Sequence, residues 1–188
     1  MKPPRVLVVL AEGAEEMETV IIVDVLRRGG MDLCLAGLDG SQPVRCSREV
    51  VLVPDQALAD AAGPFDALVL PGGAEGTRRL AASASLGQRL REQETQGQTI
   101  AAICAAPMAL VTHGVGRGRA MTSHASVRSI VASHARFLEE PVVEDGPFVT
   151  SQGPGTTFPF AFALIRRFLG EAKVQEVRQP MMFPSQGG

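Results

Sequence analysis

The sequence predicts an α/β fold built on a doubly wound, mostly parallel sheet, and three observations carry the prediction. Short, mainly apolar runs recur at Val6 to Leu10, Ala67 to Leu70 and Thr99 to Ile103, the pattern of strands covered on both faces. Helical patterns alternate with them, as in β-α-β units. Glycine-bearing loops leave the first two of these runs, at Glu12-Gly13 and Pro71-Gly72-Gly73. With 45% hydrophobic residues and no repeat, linker or low-complexity tract among 188 residues, the chain reads as one domain over 1–188, with an ordered core from about 5 to 180.

In order, Val6 to Leu10 is followed by a helix from about Glu15 to Arg28, closed by Gly29-Gly30, and a strand at Leu33 to Ala36. Val44 to Cys46 and Val50 to Val53 form a hairpin around Ser47-Arg48-Glu49. After the strand at Ala67 come helical patterns at Thr77 to Ala82 and Leu86 to Gln96, then the strand at Thr99 and a helix to His113. A strand near Ala120 to Thr122 and a helix at Ser126 to His134 follow. Val142-Val143 and Phe148 to Thr150 flank an Asp145-Gly146 turn. Helices at Phe158 to Phe168, with Pro159 in the first turn and Gly170 closing it, and at Glu171 to Val177 end the fold. The tail Gln179 to Gly188 is expected to be mobile, with Met181, Met182 and Phe183 available to pack against a neighbour.

Composition removes several function classes. A net charge of −2 and a pI near 5.9 argue against a nucleic-acid or membrane-surface partner held by charge. There is no Trp or Tyr, which leaves no base-stacking platform. Cys34, Cys46 and Cys104 are an odd number without a Cys-x-x-Cys pair, a reduced, intracellular pattern that offers no zinc or other metal site. The first loop lacks G-x-G-x-x-G, so no dinucleotide fingerprint is present. The apolar run at Val6 is cut off by Glu12, too short for a signal peptide core or a membrane span. Cytoplasm is the expected location, with no cofactor.

The chemistry centres on Cys104. It falls on the bend between the Thr99–Ile103 strand and the helix that Pro107 opens, the position at which a nucleophile elbow holds its reactive atom clear of the sheet. Free amides and the positive end of the helix dipole favour an anion there, so Cys104 is expected to titrate well below a free thiol. A small buried hydrophobe is the alternative role for an unpaired cysteine.

Ligands of open parallel sheets bind at the carboxyl ends of the strands, where the strand order reverses. Three loops leave such ends, carrying Glu12 to Glu18, Pro71-Gly72-Gly73 and Cys104-Ala105-Ala106. Helical spacing puts Glu18 on one face with Ile21, Ile22 and Val25, inside the apolar arc. A carboxyl group there has a raised pKa, donating a hydrogen bond to a thiolate when protonated and acting as a base when ionised. Its alternative role is a first-turn acid that complements the helix dipole. Glu16, by the same spacing, points toward solvent near Arg27. The amides of Gly72, Gly73 and Ala105 suit a developing oxyanion. Of His113, His124 and His134, His124 follows a strand end and is the candidate base.

Five segments carry a family resemblance: Glu15 to Thr19, Val44 to Arg48, Leu70 to Gly73, Ala101 to Pro107, and Thr150 to Thr156. Together they resemble the ThiJ/PfpI superfamily, in the branch of the parkinsonism-associated protein deglycase and its bacterial relatives, over about Arg5 to Pro180. The resemblance implies a flavodoxin-like sandwich and a homodimer. It implies Cys104 as the oxidisable nucleophile, Glu18 as its hydrogen-bond partner, and Gly73 and Ala105 as oxyanion-binding amides. His124 would lie near the sulfur, and Arg48 would approach the partner subunit's site. Ala74 and Ala106 depart from the Asn and Gly of the human-type sequence, Gln152 from an Arg of some members, and Val53 from a Cys.

Two functions follow. One is a cofactor-independent glyoxalase or deglycase acting on methylglyoxal-type 2-oxoaldehydes or their adducts on Cys, Lys and Arg. The other is a non-enzymatic redox sensor or chaperone that works through oxidation of Cys104 to sulfinic acid. Peptidase activity, which elsewhere in the superfamily uses a His directly after the Cys, is disfavoured by Ala105.

Overall fold

The computed structural model describes residues 2–183. Seven strands form the central sheet in the order β10-β11-β7-β6-β1-β2-β5. These are β1 (Arg5–Leu10), β2 (Asp32–Gly37), β5 (Gln56–Ala57), β6 (Ala67–Leu70), β7 (Thr99–Ile103), β10 (Val142–Asp145) and β11 (Phe148–Ser151). Every neighbouring pair is parallel except β10 and β11. The order runs outward from β1 to β2 on one side and to β6 and β7 on the other. The reversal therefore falls between β1 and β6, the place where an open sheet leaves a crevice.

The apolar strands alternate their side chains between two covered faces. Val6, Val8 and Leu10 of β1 pack with α1 (Glu16–Arg28), α6 (Thr157–Leu169) and α7 (Glu171–Arg178), through Ile22, Val25, Phe160 and Val174 among others. Leu7 and Val9 face the opposite layer of α2 (Ala74–Ala82), α3 (Ala84–Thr95), α4 (Pro107–Thr112) and α5 (Arg128–Ala132), meeting Leu80, Leu86, Leu90, Leu110 and Val131. The result is the mostly parallel sheet between two helical layers that the sequence predicts.

Three places differ from expectation. Helix α2 starts at Ala74 rather than Thr77, because Gly73 leaves the loop with a φ of 92° and its carbonyl accepts the Thr77 N–H at 2.9 Å. β8 (Ala120–Met121) pairs with β9 (Arg136–Phe137) in a separate parallel two-stranded sheet, while β3 (Val44–Arg45) and β4 (Val51–Leu52) make the expected hairpin. In the tail, Phe183 packs against Phe158 and Phe162 of its own chain, at centroid distances of 4.9 and 5.2 Å. Met182 is exposed, and residues 184–188 of the expected mobile tail lie outside the described residues. No helix among the described residues is long and apolar enough to cross a membrane.

Candidate active site

β1, β6 and β7 are adjacent, so the loops leaving their carboxyl ends converge. The β7 ladder continues one residue beyond the strand: the Cys104 N–H donates to the Ser151 carbonyl at 3.0 Å. The backbone then turns sharply, with Ala106 N–H donating to the Ile103 carbonyl at 3.0 Å, and α4 begins at Pro107. Cys104 takes the turn at a φ of +62°, a left-handed conformation uncommon for a residue with a side chain. The elbow falls where the sequence places it, its strain is a finding of the structure, and the thiol is half-buried between the two cores rather than held clear of them.

Glu18 reaches the elbow from the first turn of α1. It is fully buried, and its Oε2 accepts the Gly72 N–H at 2.8 Å. Oε1 is buried with no hydrogen-bond partner among the described residues. Burial pushes this carboxyl up to about 7, against the Gly72 amide and the Cys104 thiol, which favour its ionised form; the charge of Glu15 adds to the rise. Leaving a buried acceptor bare costs about 1–3 kcal/mol, and burial of this oxygen is part of what favours the protonated acid.

The thiol departs from expectation. Burial first, and the Glu18 carboxylate second, push Cys104 up to about 12, while the amides of Gly73 and Ala105 pull it down. The amide effect predicted at the elbow is thus present and outweighed. The repulsion exists only while Glu18 is ionised, so the two groups titrate as a coupled pair, the carboxyl losing its proton before the thiol. Near neutrality the carboxyl is about half ionised, and the thiol beside it keeps its proton while the carboxylate is charged.

Close approach explains the glycines. A Cβ on Gly72 would lie 2.6 Å from the Cys104 Cβ and 2.9 Å from Glu18 Oε2, and one on Gly73 would lie 2.4 Å from the Gly13 carbonyl oxygen. Gly73 and Ala105 both present amides to the sulfur, whereas the Gly72 amide is spent on Glu18.

The other predicted residues sit further out. His124 donates its backbone N–H to the Cys104 carbonyl at 2.7 Å, but its exposed ring is engaged through Nδ1 by Ser126. Arg48 has an exposed side chain whose Nη1 donates to the Ser47 carbonyl. His113 and His134 bond through Nε2 to the carbonyls of Leu80 and Val115. Glu16 does not face solvent as its spacing suggests. It is buried, accepting from Ser47 Oγ at 2.8 Å and the Arg48 N–H at 2.7 Å, which ties the β3–β4 turn to α1. Sequence reading also missed Glu15, which caps α1 by accepting the Glu18 N–H at 2.7 Å; an acid just before the helix was its visible signal. Among the described residues, no group of three or more His, Cys, Asp or Glu side chains is placed to hold a metal ion.

A parallel α/β sheet with a strained cysteine at its switch-point edge, backed by a buried acid, defines a class of cysteine-elbow proteins. The profile of the DJ-1/PfpI family matches residues 4–167, and the chain belongs to that family. It is 44% identical over 186 residues to the Parkinson disease protein 7 homolog of Danio rerio, covering 97% of this chain and 98% of that protein. It is 36% identical over 172 residues to the glutathione-independent glyoxalase DJR-1.2 of Caenorhabditis elegans, covering 90% of this chain and 91% of the other. The crystal structure of Drosophila melanogaster DJ-1beta superposes with a TM-score of 0.95 at 43% identity, covering 98% of this chain and all of that one.

Proposed function

We propose that the protein is a cofactor-independent glyoxalase whose nucleophile is Cys104 and whose proton shuttle is Glu18, with 2-oxoaldehydes of the methylglyoxal type, or their early adducts on Cys, Lys and Arg side chains, as substrates. The observation that carries the reading is the dyad: a thiol fixed at a strained elbow beside a buried carboxyl that burial pushes up to about 7. A relative named as a glutathione-independent glyoxalase supports it.

The thiol sulfur adds to the aldehyde carbon, and the thiol proton passes through Glu18 to the carbonyl oxygen, giving a hemithioacetal. Ionised Glu18 then removes the hydrogen on that carbon as a proton. The electron pair moves into an enediolate, the proton of the adduct's hydroxyl passes to the neighbouring oxygen, and Glu18 returns the carbon-derived proton to the neighbouring carbon. What remains is a thioester of the 2-hydroxy acid; water breaks its C–S bond and restores the thiol. The aldehyde carbon is oxidised as the ketone carbon is reduced, so the sequence balances without an external electron acceptor. Amides of Gly73 and Ala105 face the developing oxyanion. A protein adduct enters the same path when its aldehyde carbon passes to Cys104, with the Cys thiol, Lys amine or Arg guanidine leaving.

The same groups support a second reading, a redox sensor. Two amides and a protonable acid around the sulfur are donors suited to a sulfinate.

We further propose a homodimer. Met17 and Val20 of α1 and Val50, Val51 and Val53 of the β3–β4 hairpin are exposed together, beside a groove of about 550 Å³ lined by Val20, Val23, Leu35 and Leu52 among others. The three free cysteines fit the cytoplasm. The deciding experiment is lactate formation from methylglyoxal by wild type, Cys104→Ser and Glu18→Gln. Turnover by wild type alone is expected; equal rates in all three would remove the enzyme reading.

A further inference from the structure

The first helix begins with a closed ring of hydrogen bonds. The Glu15 backbone N–H donates to the Gly72 carbonyl at 3.0 Å. Gly72 N–H donates to Glu18 Oε2 at 2.8 Å. Glu18 N–H donates to Glu15 Oε2 at 2.7 Å, closing the loop. Glu15 therefore touches Glu18 through its side chain and, through its backbone, the glycine that holds the Glu18 carboxyl. The same glycine stands against Cys104 closely enough that it has no room for a Cβ.

We propose that Glu15 is a positioning residue for the proton-carrying acid: its carboxylate fixes the turn that aims Glu18 at Cys104, and its negative charge keeps the Glu18 proton in place near neutral pH. The proposal deepens the glyoxalase reading and rests on it for its catalytic meaning, though the ring itself stands apart from any activity.

The surroundings support a specific electrostatic role. Two ionisable groups act on the Glu18 carboxyl, Cys104 from the elbow and Glu15 from the helix start, and Glu15 is the one that raises it by charge. Glu16, next along the helix, is turned away and spent on Ser47 and Arg48. From the hairpin side Cys46 faces the acids; burial and the charges of Glu16, Glu12 and Glu15 push its thiol up to about 11, so it brings no charge near neutrality. Among the described residues, no cation is among the groups that shift the Glu18 carboxyl. An ordinary neutral N-cap would hold the turn as well; an acid adds the repulsion that retains the proton on Glu18.

Three variants separate the two parts of the role. Glu15→Gln keeps a side-chain acceptor for the Glu18 N–H and removes the charge, Glu15→Asp keeps both, and Glu15→Ala removes both. The readouts are the pH profile of Cys104 alkylation by iodoacetamide, in a background with Cys34 and Cys46 replaced by Ser, and the ¹³C carboxyl shift of Glu18. Neither needs turnover, so they stand even if lactate formation is absent. Expected is a fall in the Glu18 midpoint of about half a pH unit, a threefold weaker hold on the proton, in Glu15→Gln and Glu15→Ala, with Glu15→Asp matching wild type. Lactate formation, where present, should move its acid limb by the same amount. If Glu15→Gln titrates as wild type does, the proposal is overturned. Glu15→Ala falling in melting temperature with no change in midpoint would reduce Glu15 to a cap.

Discussion

Gly72 and Cys104 approach so closely that a Cβ on the glycine would stand 2.6 Å from that of the cysteine. The same Cβ would sit 3.0 Å from the Ile103 carbonyl oxygen, so backbone as well as side chain would have to move. Gly72→Ala is therefore expected to lower stability by about 1–3 kcal/mol, the usual cost of forced overpacking. It should also displace Glu18 Oε2 from the Gly72 amide. Denaturant unfolding and the rate of Cys104 alkylation would check both; a variant with native values would show that the elbow has slack.

Glu18 makes stability depend on pH. Its carboxyl is near 4.5 when unfolded and is raised to about 7 in the fold. Below about 4.5 both states hold the proton and nothing is lost. Between 4.5 and 7 the unfolded chain releases it while the fold keeps it, so the contribution declines as pH rises, levelling off above 7 at a cost of about 3 kcal/mol. Glu18→Gln cannot ionise and still offers an acceptor to Gly72. Its melting temperature should exceed that of wild type at pH 8 by a wide margin and approach it at pH 4.5.

Cys104 at φ +62° stores backbone strain that only glycine escapes. Cys104→Gly should be more stable than Cys104→Ala by about 1 kcal/mol, against the usual ranking of the two residues. Equal unfolding midpoints would mean that the surrounding hydrogen bonds carry no strain. Both variants should lose turnover.

The proposed dimer is tested on its apolar face. Val20→Asp together with Val53→Glu puts charge on α1 and the hairpin at exposed positions, so the monomer fold should survive. Sedimentation velocity is expected to show a dimer for wild type and a monomer for the double variant. A wild-type monomer at micromolar concentration would end the proposal.

Much of this was legible in the residues. The strands β1, β6 and β7 are apolar runs long enough to declare themselves, and Glu18 was visible because Ile22 and Val25 share its helical face. β5 and β9, at two residues each, carry no periodicity, and only tertiary pairing makes them strands. Glu16 deceived because its partners, Ser47 and the Arg48 amide, lie 31 and 32 residues away. The Cys104 thiol deceived for a related reason. Local amides and the helix start were readable in the sequence, but the degree of burial and the carboxylate beside the sulfur come from α1, far along the chain.

The ladder bond from Cys104 N–H to the Ser151 carbonyl gives the molecule an asymmetry. The sulfur is carried by a residue whose own backbone extends the sheet ladder, whereas its acid partner sits on a helix tied to the sheet through the ring at Gly72 and the packing of α1. Loss of the Ser47 tie to Glu16 is therefore expected to loosen the acid's helix sooner than the elbow. In such a molecule the reactive atom is expected to outlast its proton supply, and an ageing preparation would still label at Cys104 after any lactate formation had ceased.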